Sequence, residues 1–307
     1  MKEITGYTKV MAILADPIEH VKTPQRMNEH LARLGYDGVL VPLHVRPQNL
    51  AAALQAMRGM ENLAGSIVTM PHKSAILDLC DEVTPVAREI GAANVIRREA
   101  SGRLVAHMLD GEGFVTGLVQ AGLDLRGKRA YMAGAGGAAN AIAFSLVQAG
   151  VASLTVYNRT ASRADDLKAR VLSLYPQADV RIGTRDPSGF DVVVNATPLG
   201  MRPGDALPVD VERLDPTQWV CEVIMQPAET PLMAEARARG CKVQPGAPML
   251  ACQIELMARF LGVEGSGNGG AGDGPAAGAA SAAAASAVAA SAAAVPARAA
   301  STSDPAA

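Results

Sequence analysis

Residues 129–140 read Arg129-Ala130-Tyr131-Met132-Ala133-Gly134-Ala135-Gly136-Gly137-Ala138-Ala139-Asn140, an apolar run that breaks into glycines and resumes as a helical pattern. The run before Gly134 has the length and apolarity of a buried strand, and Ala138–Gln148 has the composition of a helix. The glycines between them permit a tight turn and close approach of backbone to a pyrophosphate. The helix N-terminus that follows favours the negative charge. A bare G-x-G-x-x-A string carries little weight, but with a strand before it and a helix after it the string reads as a dinucleotide-binding fingerprint. Gly134, Ala135, Gly136, Gly137 and Ala138 are the first candidate cofactor-binding residues.

The end of the next strand, Ser153–Tyr157, separates the two nicotinamide dinucleotides. A carboxylate there would accept hydrogen bonds from a ribose 2′-hydroxyl. The chain instead carries Asn158-Arg159-Thr160, followed by Arg163. Two guanidiniums suit a 2′-phosphate through charge-assisted hydrogen bonds, so NADP is the expected cofactor.

Outward from this loop, strand patterns at Lys9–Leu14, Gly38–His44 and Gly65–Thr69 alternate with helical ones at Pro24–Leu34 and Asn49–Met60. Beyond residues 123–128, strands at 129–133, 153–157, 180–182, 192–195, 220–223 and 242–244 alternate with helices near 138–148, 162–175 and 231–239. A last helical pattern covers Met249–Leu261. Such alternation indicates an α/β fold with parallel sheets and crossover helices. The expected architecture is two domains: an N-terminal α/β substrate domain (1–108 plus 246–264) and a Rossmann-type NADP-binding domain (109–245). Residues 265–307 are almost entirely Ala, Ser, Gly and Pro; too poor in apolar side chains to fold alone, they are expected to form a disordered tail.

Bulk properties narrow the function. With 28 basic and 30 acidic residues among 307, the net charge of −2 argues against nucleic-acid or membrane-surface partners. No apolar stretch has the length of a membrane span, and the first residues lack the apolar core of a signal peptide, so a cytoplasmic protein is expected. Cys80, Cys221, Cys241 and Cys252 are scattered without C-x-x-C spacing, and the five histidines form no ligand cluster; reduced thiols and no metal are expected.

Further segments carry chemistry together. They are Ala15-Asp16-Pro17-Ile18-Glu19-His20-Val21-Lys22-Thr23-Pro24, Val68-Thr69-Met70-Pro71-His72-Lys73, Gly91-Ala92-Ala93-Asn94, Asp110-Gly111, Asn195-Ala196-Thr197-Pro198-Leu199-Gly200-Met201 and Met249-Leu250-Ala251-Cys252-Gln253. In this order and spacing the chain resembles the shikimate dehydrogenase family over nearly all of its folded length. The resemblance implies hydride transfer between NADP and a cyclic hydroxy acid. It implies Lys73 and Asp110 as the catalytic pair, the lysine beside the reacting oxygen and the aspartate orienting it. It places Val21, Thr23, Ile67, Thr69, Asn94 and Gln253 at the substrate, and Asn158, Arg159, Thr160, Arg163, Thr197, Pro198, Gly246 and Met249 at the cofactor.

The chain departs from the family pattern at several of these positions. Val21 stands where the family has the first of two serines, leaving Thr23 as the hydroxyl of that pair. Ile67 replaces an asparagine, Met108 and Leu109 replace Asn and Thr before the aspartate, and Glu222 and Met225 take the places of an aspartate and a tyrosine. Apolar groups in these places suggest a less hydroxylated ligand than shikimate, while the retained Thr69, Asn94 and Gln253 keep the shikimate/3-dehydroshikimate pair as the other expected substrate. The partner expected is a small hydroxy acid, and the assembly a monomer or homodimer. The alternative is an NADP-binding sensor that has lost turnover, against which stands the retention of both Lys73 and Asp110.

Overall fold

The structure is a computed structural model that describes residues 3–19 and 21–263. His20 and the expected tail at 265–307 lie outside the described residues. The N-terminal half is built from β1 (Lys9–Ala15), α1 (Thr23–Arg33), β2 (Gly38–His44), α2 (Leu50–Arg58), β3 (Leu63–Val68), β4 (Glu82–Val83), α3 (Pro85–Ile90), β5 (Val95–Arg98) and β6 (Leu104–His107). Its six strands lie in the order β2-β1-β3-β5-β6-β4. β1 pairs parallel with β2 and β3, but β5 runs antiparallel to both β3 and β6. The sheet is therefore mixed, not parallel throughout as the alternation suggested. The difference arises at a hairpin, in which Glu99 and Arg103 close a turn between two four-residue strands. Strands that short, one of them carrying Arg97 and Arg98, show no period from which to read them.

Helix α4 (Asp110–Gln120) leads into the second half: β7 (Arg129–Ala133), α5 (Gly137–Gln148), β8 (Ser153–Tyr157), α6 (Ala161–Leu174), β9 (Val180–Ile182), β10 (Val192–Asn195), β11 (Trp219–Glu222), α7 (Pro231–Ala238), β12 (Lys242–Gln244) and α8 (Ala247–Phe260). All pairings in this second sheet are parallel, in the order β12-β11-β10-β7-β8-β9. This is the doubly wound arrangement in which two half-sheets diverge from a switch point between the first and fourth strands, here β7 and β10. Strands buried on both faces read as continuous apolar runs, and Val192, Val193 and Val194 are all fully buried. Helix α5 is buried on nearly all sides, with Ile142, Phe144 and Leu146 at 0 % exposure. Burial of side chains of that size contributes about 1.5–3 kcal/mol each, so α5 is firmly anchored.

Helices α4 and α8 join the two halves. Gly111 on α4 lies so close to α5 that a Cβ there would overlap the carbonyl oxygen of Ala141, and Gly113 meets the side chain of Gln253 on α8. The far side of α8 contributes Ile254, Met257 and Ala258 to an apolar cluster with Met11, Ile13 and Leu31 of the first half. The four cysteines are free thiols. Among the described residues, no helix is long and apolar enough to cross a membrane.

Candidate active site

Three distant segments converge on Asp110, the first residue of α4. Lys73 Nζ donates to its Oδ2 at 2.7 Å, while Asn94 Nδ2 and Gln253 Nε2 donate to Oδ1 at 2.6 and 2.9 Å. Asn94 is buried, at 1 % exposure, and its own Oδ1 accepts from the Leu109 amide at 2.9 Å. It thereby fixes both the aspartate and the start of α4. Backbone bonds hold the lysine in turn: the Ala93 amide donates to the Lys73 carbonyl at 2.8 Å, and the His72 ring bonds the Val45 carbonyl oxygen at 2.7 Å. The lysine side chain keeps 24 % of its surface and the aspartate 13 %, so the pair is reachable from outside.

The other expected substrate residues fall into two groups. Thr23 opens α1, and Thr69 follows β3 with its amide bonded to the Leu14 carbonyl; both are half-buried, as is Val21. Ile67 is buried. It is 3 % exposed and packs with Met27, Leu31 and Leu109 in the apolar cluster of the first half. Met108 is buried as well. Of the apolar departures, Ile67, Met108 and Leu109 are therefore buried, whereas Val21 is half-buried and Met225 exposed.

At the switch point, the loop after β7 has the shape that a dinucleotide requires. Gly134 adopts φ 118°, and a Cβ there would stand 2.5 Å from the Ala196 carbonyl oxygen, so the turn tolerates glycine alone. In front of Gly136 and Gly137 the space is open. No side chain caps α5, leaving the first-turn amides that begin near Ala138 to meet an incoming anion. Ala135 lies buried between these glycines. Arg159 and Arg163 are exposed at the end of β8 and the start of α6, and neither makes an ion pair among the described residues. Asn158 shapes that corner by donating to the Thr160 carbonyl at 2.8 Å. The loop, the open space and the two uncommitted guanidiniums fit an NADP molecule.

The turn after β10 is held from below. Asn195 Oδ1 accepts from the Thr197 amide and hydroxyl at 3.0 and 2.7 Å, and Thr197 Oγ1 accepts from Leu199 N; Pro198 is exposed at the tip. Asn195 Nδ2 donates to Glu222, which is fully buried and also accepts from Val223 N, Ile224 N and Thr230 Oγ1. Burial pushes the Glu222 carboxyl up from the ordinary glutamate range, against the four donors that hold it down. Gly246 begins α8 hard against the Ile224 carbonyl, and Met249 is buried one turn on, facing Gly113 of α4.

The expected residues Lys73, Asp110, Asn94 and Gln253 are brought together, but the elements that orient them carry weaker signals in the sequence. The α4 helix itself escaped notice because three glycines within 111–117 depress helix propensity. Its one signal was Asp110 and Glu112 in the first turn, where acidic groups complement the helix dipole. Asn140 and Arg170 carried no motif at all.

A doubly wound dinucleotide sheet joined to a mixed α/β lobe that presents a lysine–aspartate pair defines a pyridine-nucleotide oxidoreductase class. The chain belongs to the shikimate dehydrogenase family. Residues 13–96 match the shikimate dehydrogenase substrate binding domain, and residues 118–197 match the shikimate / quinate 5-dehydrogenase family. The chain is 38 % identical over 266 residues to the shikimate dehydrogenase (NADP(+)) of Rubrobacter xylanophilus, an alignment spanning 85 % of this chain and 93 % of that protein. It is similar in structure to shikimate 5-dehydrogenase from Listeria monocytogenes in complex with shikimate and NAD, with a TM-score of 0.80 and 29 % identity over 86 % of this chain and 95 % of that one. It is also similar to 5-ketofructose reductase of a Gluconobacter strain, with a TM-score of 0.77 and 31 % identity over 83 % and 92 % of the two chains.

Proposed function

We propose that the protein catalyses reversible hydride transfer between NADP(H) and a cyclic hydroxy or oxo acid, with shikimate and 3-dehydroshikimate or a less polar analogue as the pair. The observation that carries this reading is the Lys73–Asp110 contact of 2.7 Å, braced by Asn94 and Gln253. NADP, when bound, accepts or supplies the hydride. The chain must then move one proton at the alcohol oxygen. Lys73 is the group that meets that oxygen, and Asp110 holds the ammonium in place and balances its charge. A positioned acid or base of this kind contributes about 10²–10⁴ in rate. Arg159 and Arg163 hold the 2′-phosphate, and the loop Gly134–Ala138 with the Thr197–Pro198 turn, Gly246 and Met249 lines the rest of the cofactor site. Thr23, Thr69, Asn94 and Gln253 supply the polar contacts to substrate, with Val21 an apolar patch among them.

In this reading residues 1–108 with 246–264 form the substrate domain and 109–245 the cofactor domain. The protein works in the cytoplasm on a small molecule, as a monomer or homodimer. The discriminating experiment is steady-state NADP⁺ reduction with shikimate, quinate and simpler hydroxy acids. Turnover of at least one cyclic hydroxy acid is expected. NADP⁺ binding without turnover of any would overturn the reading in favour of a sensor.

A further inference from the structure

Helix α3 ends one residue before the Gly91–Asn94 segment that brings Asn94 to Asp110. Its last carbonyls are met from the other lobe. Arg170 of α6 donates through Nη1 to the Ile90 carbonyl at 3.0 Å and to that of Glu89 at 3.5 Å. Through Nη2 it donates to Asn140 Oδ1 at 2.5 Å. Arg170 makes no ion pair among the described residues; its guanidinium is shared between the α3 C-terminus, the Asn140 amide and, through Nε at 3.4 Å, the Asp166 carbonyl of its own helix, and the helix dipole favours a cation at the α3 end. Asn140 is 7 % exposed in the first turn of α5, and its Nδ2 donates back to the carbonyl of Gly136 at 2.8 Å. Ser173 adds a parallel tie to the Glu89 carboxylate at 2.8 Å.

Followed in order, the bonds form one path. Gly136 of the dinucleotide loop is tied to Asn140, Asn140 to Arg170, and Arg170 to the end of α3. Three residues further on, Ala93 binds the Lys73 backbone and Asn94 binds Asp110. We infer that Arg170 and Asn140 are positioning residues that couple occupancy of the dinucleotide loop to the placement of Lys73 and Asp110. The inference rests on NADP binding at that loop. Arg170→Lys keeps the charge and reaches the α3 carbonyls or Asn140 but cannot fork between them, so it retains only part of the path.

The test is amide hydrogen exchange across residues 91–94, with and without saturating NADP⁺, in the wild type, Arg170→Ala, Arg170→Lys and Asn140→Ala. NADP⁺ is expected to slow exchange of Ala93 and Asn94 in the wild type on the order of tenfold, the scale of ordinary site-to-site coupling. At NADP⁺ concentrations that saturate each variant, that slowing is expected to vanish in Arg170→Ala and Asn140→Ala and to survive in part in Arg170→Lys. Asn140→Ala, which retains a strong helix former, serves if Arg170→Ala does not fold. Equal slowing in the wild type and the folded variants, or no slowing in a wild type that binds NADP⁺, would overturn the coupling. Failure of the wild type to bind NADP⁺ would overturn the cofactor assignment and the coupling with it.

Discussion

Asp110 accepts from three side chains that come from β3's loop, the Gly91–Asn94 segment and α8, so its position reports on the whole substrate side of the site. Asn94 is the member of this group with no freedom, since both ends of its amide are engaged. Replacing Asn94 by alanine leaves the buried Leu109 amide and one aspartate oxygen short of partners. A loss of about 1–3 kcal/mol in urea denaturation is expected, together with a lower kcat. Arg159, proposed to meet the cofactor, is exposed and makes no ion pair among the described residues, so its removal is expected to cost binding and not folding. Arg159→Ala is expected to weaken NADP⁺ by about ten- to a hundredfold, the worth of one charged hydrogen bond, with NAD⁺ affinity nearly unchanged. Cofactor titrations of the two nucleotides side by side measure that difference.

At the scale of elements, the dinucleotide sheet was legible because parallel strands covered on both faces are apolar throughout, as at Val192–Asn195, and because glycines mark the turn after β7. The edge of the first sheet was not, because β4 has only two residues and the hairpin of β5 and β6 mixes valine with arginine. That edge buries Val83, Leu104 and Ala106 and is tied further by Asp81. Its Oδ2 accepts from the Leu104 amide at 2.7 Å and its carboxylate pairs with Arg58. The Leu104 amide first, and Arg58 second, hold its carboxyl below the usual range. A folded pKa below the unfolded aspartate value of about 3.9 means that the bond's contribution is complete above that pH and is lost as pH falls through the folded value. The stability gap between wild type and Asp81→Asn is therefore expected to be constant near neutrality and to close on acidification below about pH 4. Chemical denaturation across that range checks the sign.

For the whole molecule, the order of the chain explains why one end cannot act without the other. The last helix, α8, returns from the dinucleotide sheet to pack on α4 and delivers Gln253 to Asp110, so catalytic and cofactor parts are completed only when the chain is complete to Val263. Most of the motifs stand beside a strand end, with Met249–Gln253 inside α8 the exception, which is why the residues gathered at Asp110 carry a pattern along the sequence. The ties between lobes through Asn140 and Arg170 depend on side chains meeting across helices, and spacing along one sequence cannot show them. The residues that build this machinery among the described ones all lie before Val263. Truncation there is expected to leave NADP⁺ affinity and turnover within about twofold of the full chain, as for removal of a segment too polar and alanine-rich to add packing.

The measurement that bears most directly on the central claim is single-substrate kinetics of Lys73→Ala beside wild type, with NADP⁺ affinity determined for both. In Lys73→Ala, kcat with the cyclic hydroxy acid turned over by the wild type is expected to fall by about 10²–10⁴ while NADP⁺ binds as before. A variant that keeps wild-type kcat would contradict the claim, because no other ammonium group stands beside Asp110 among the described residues.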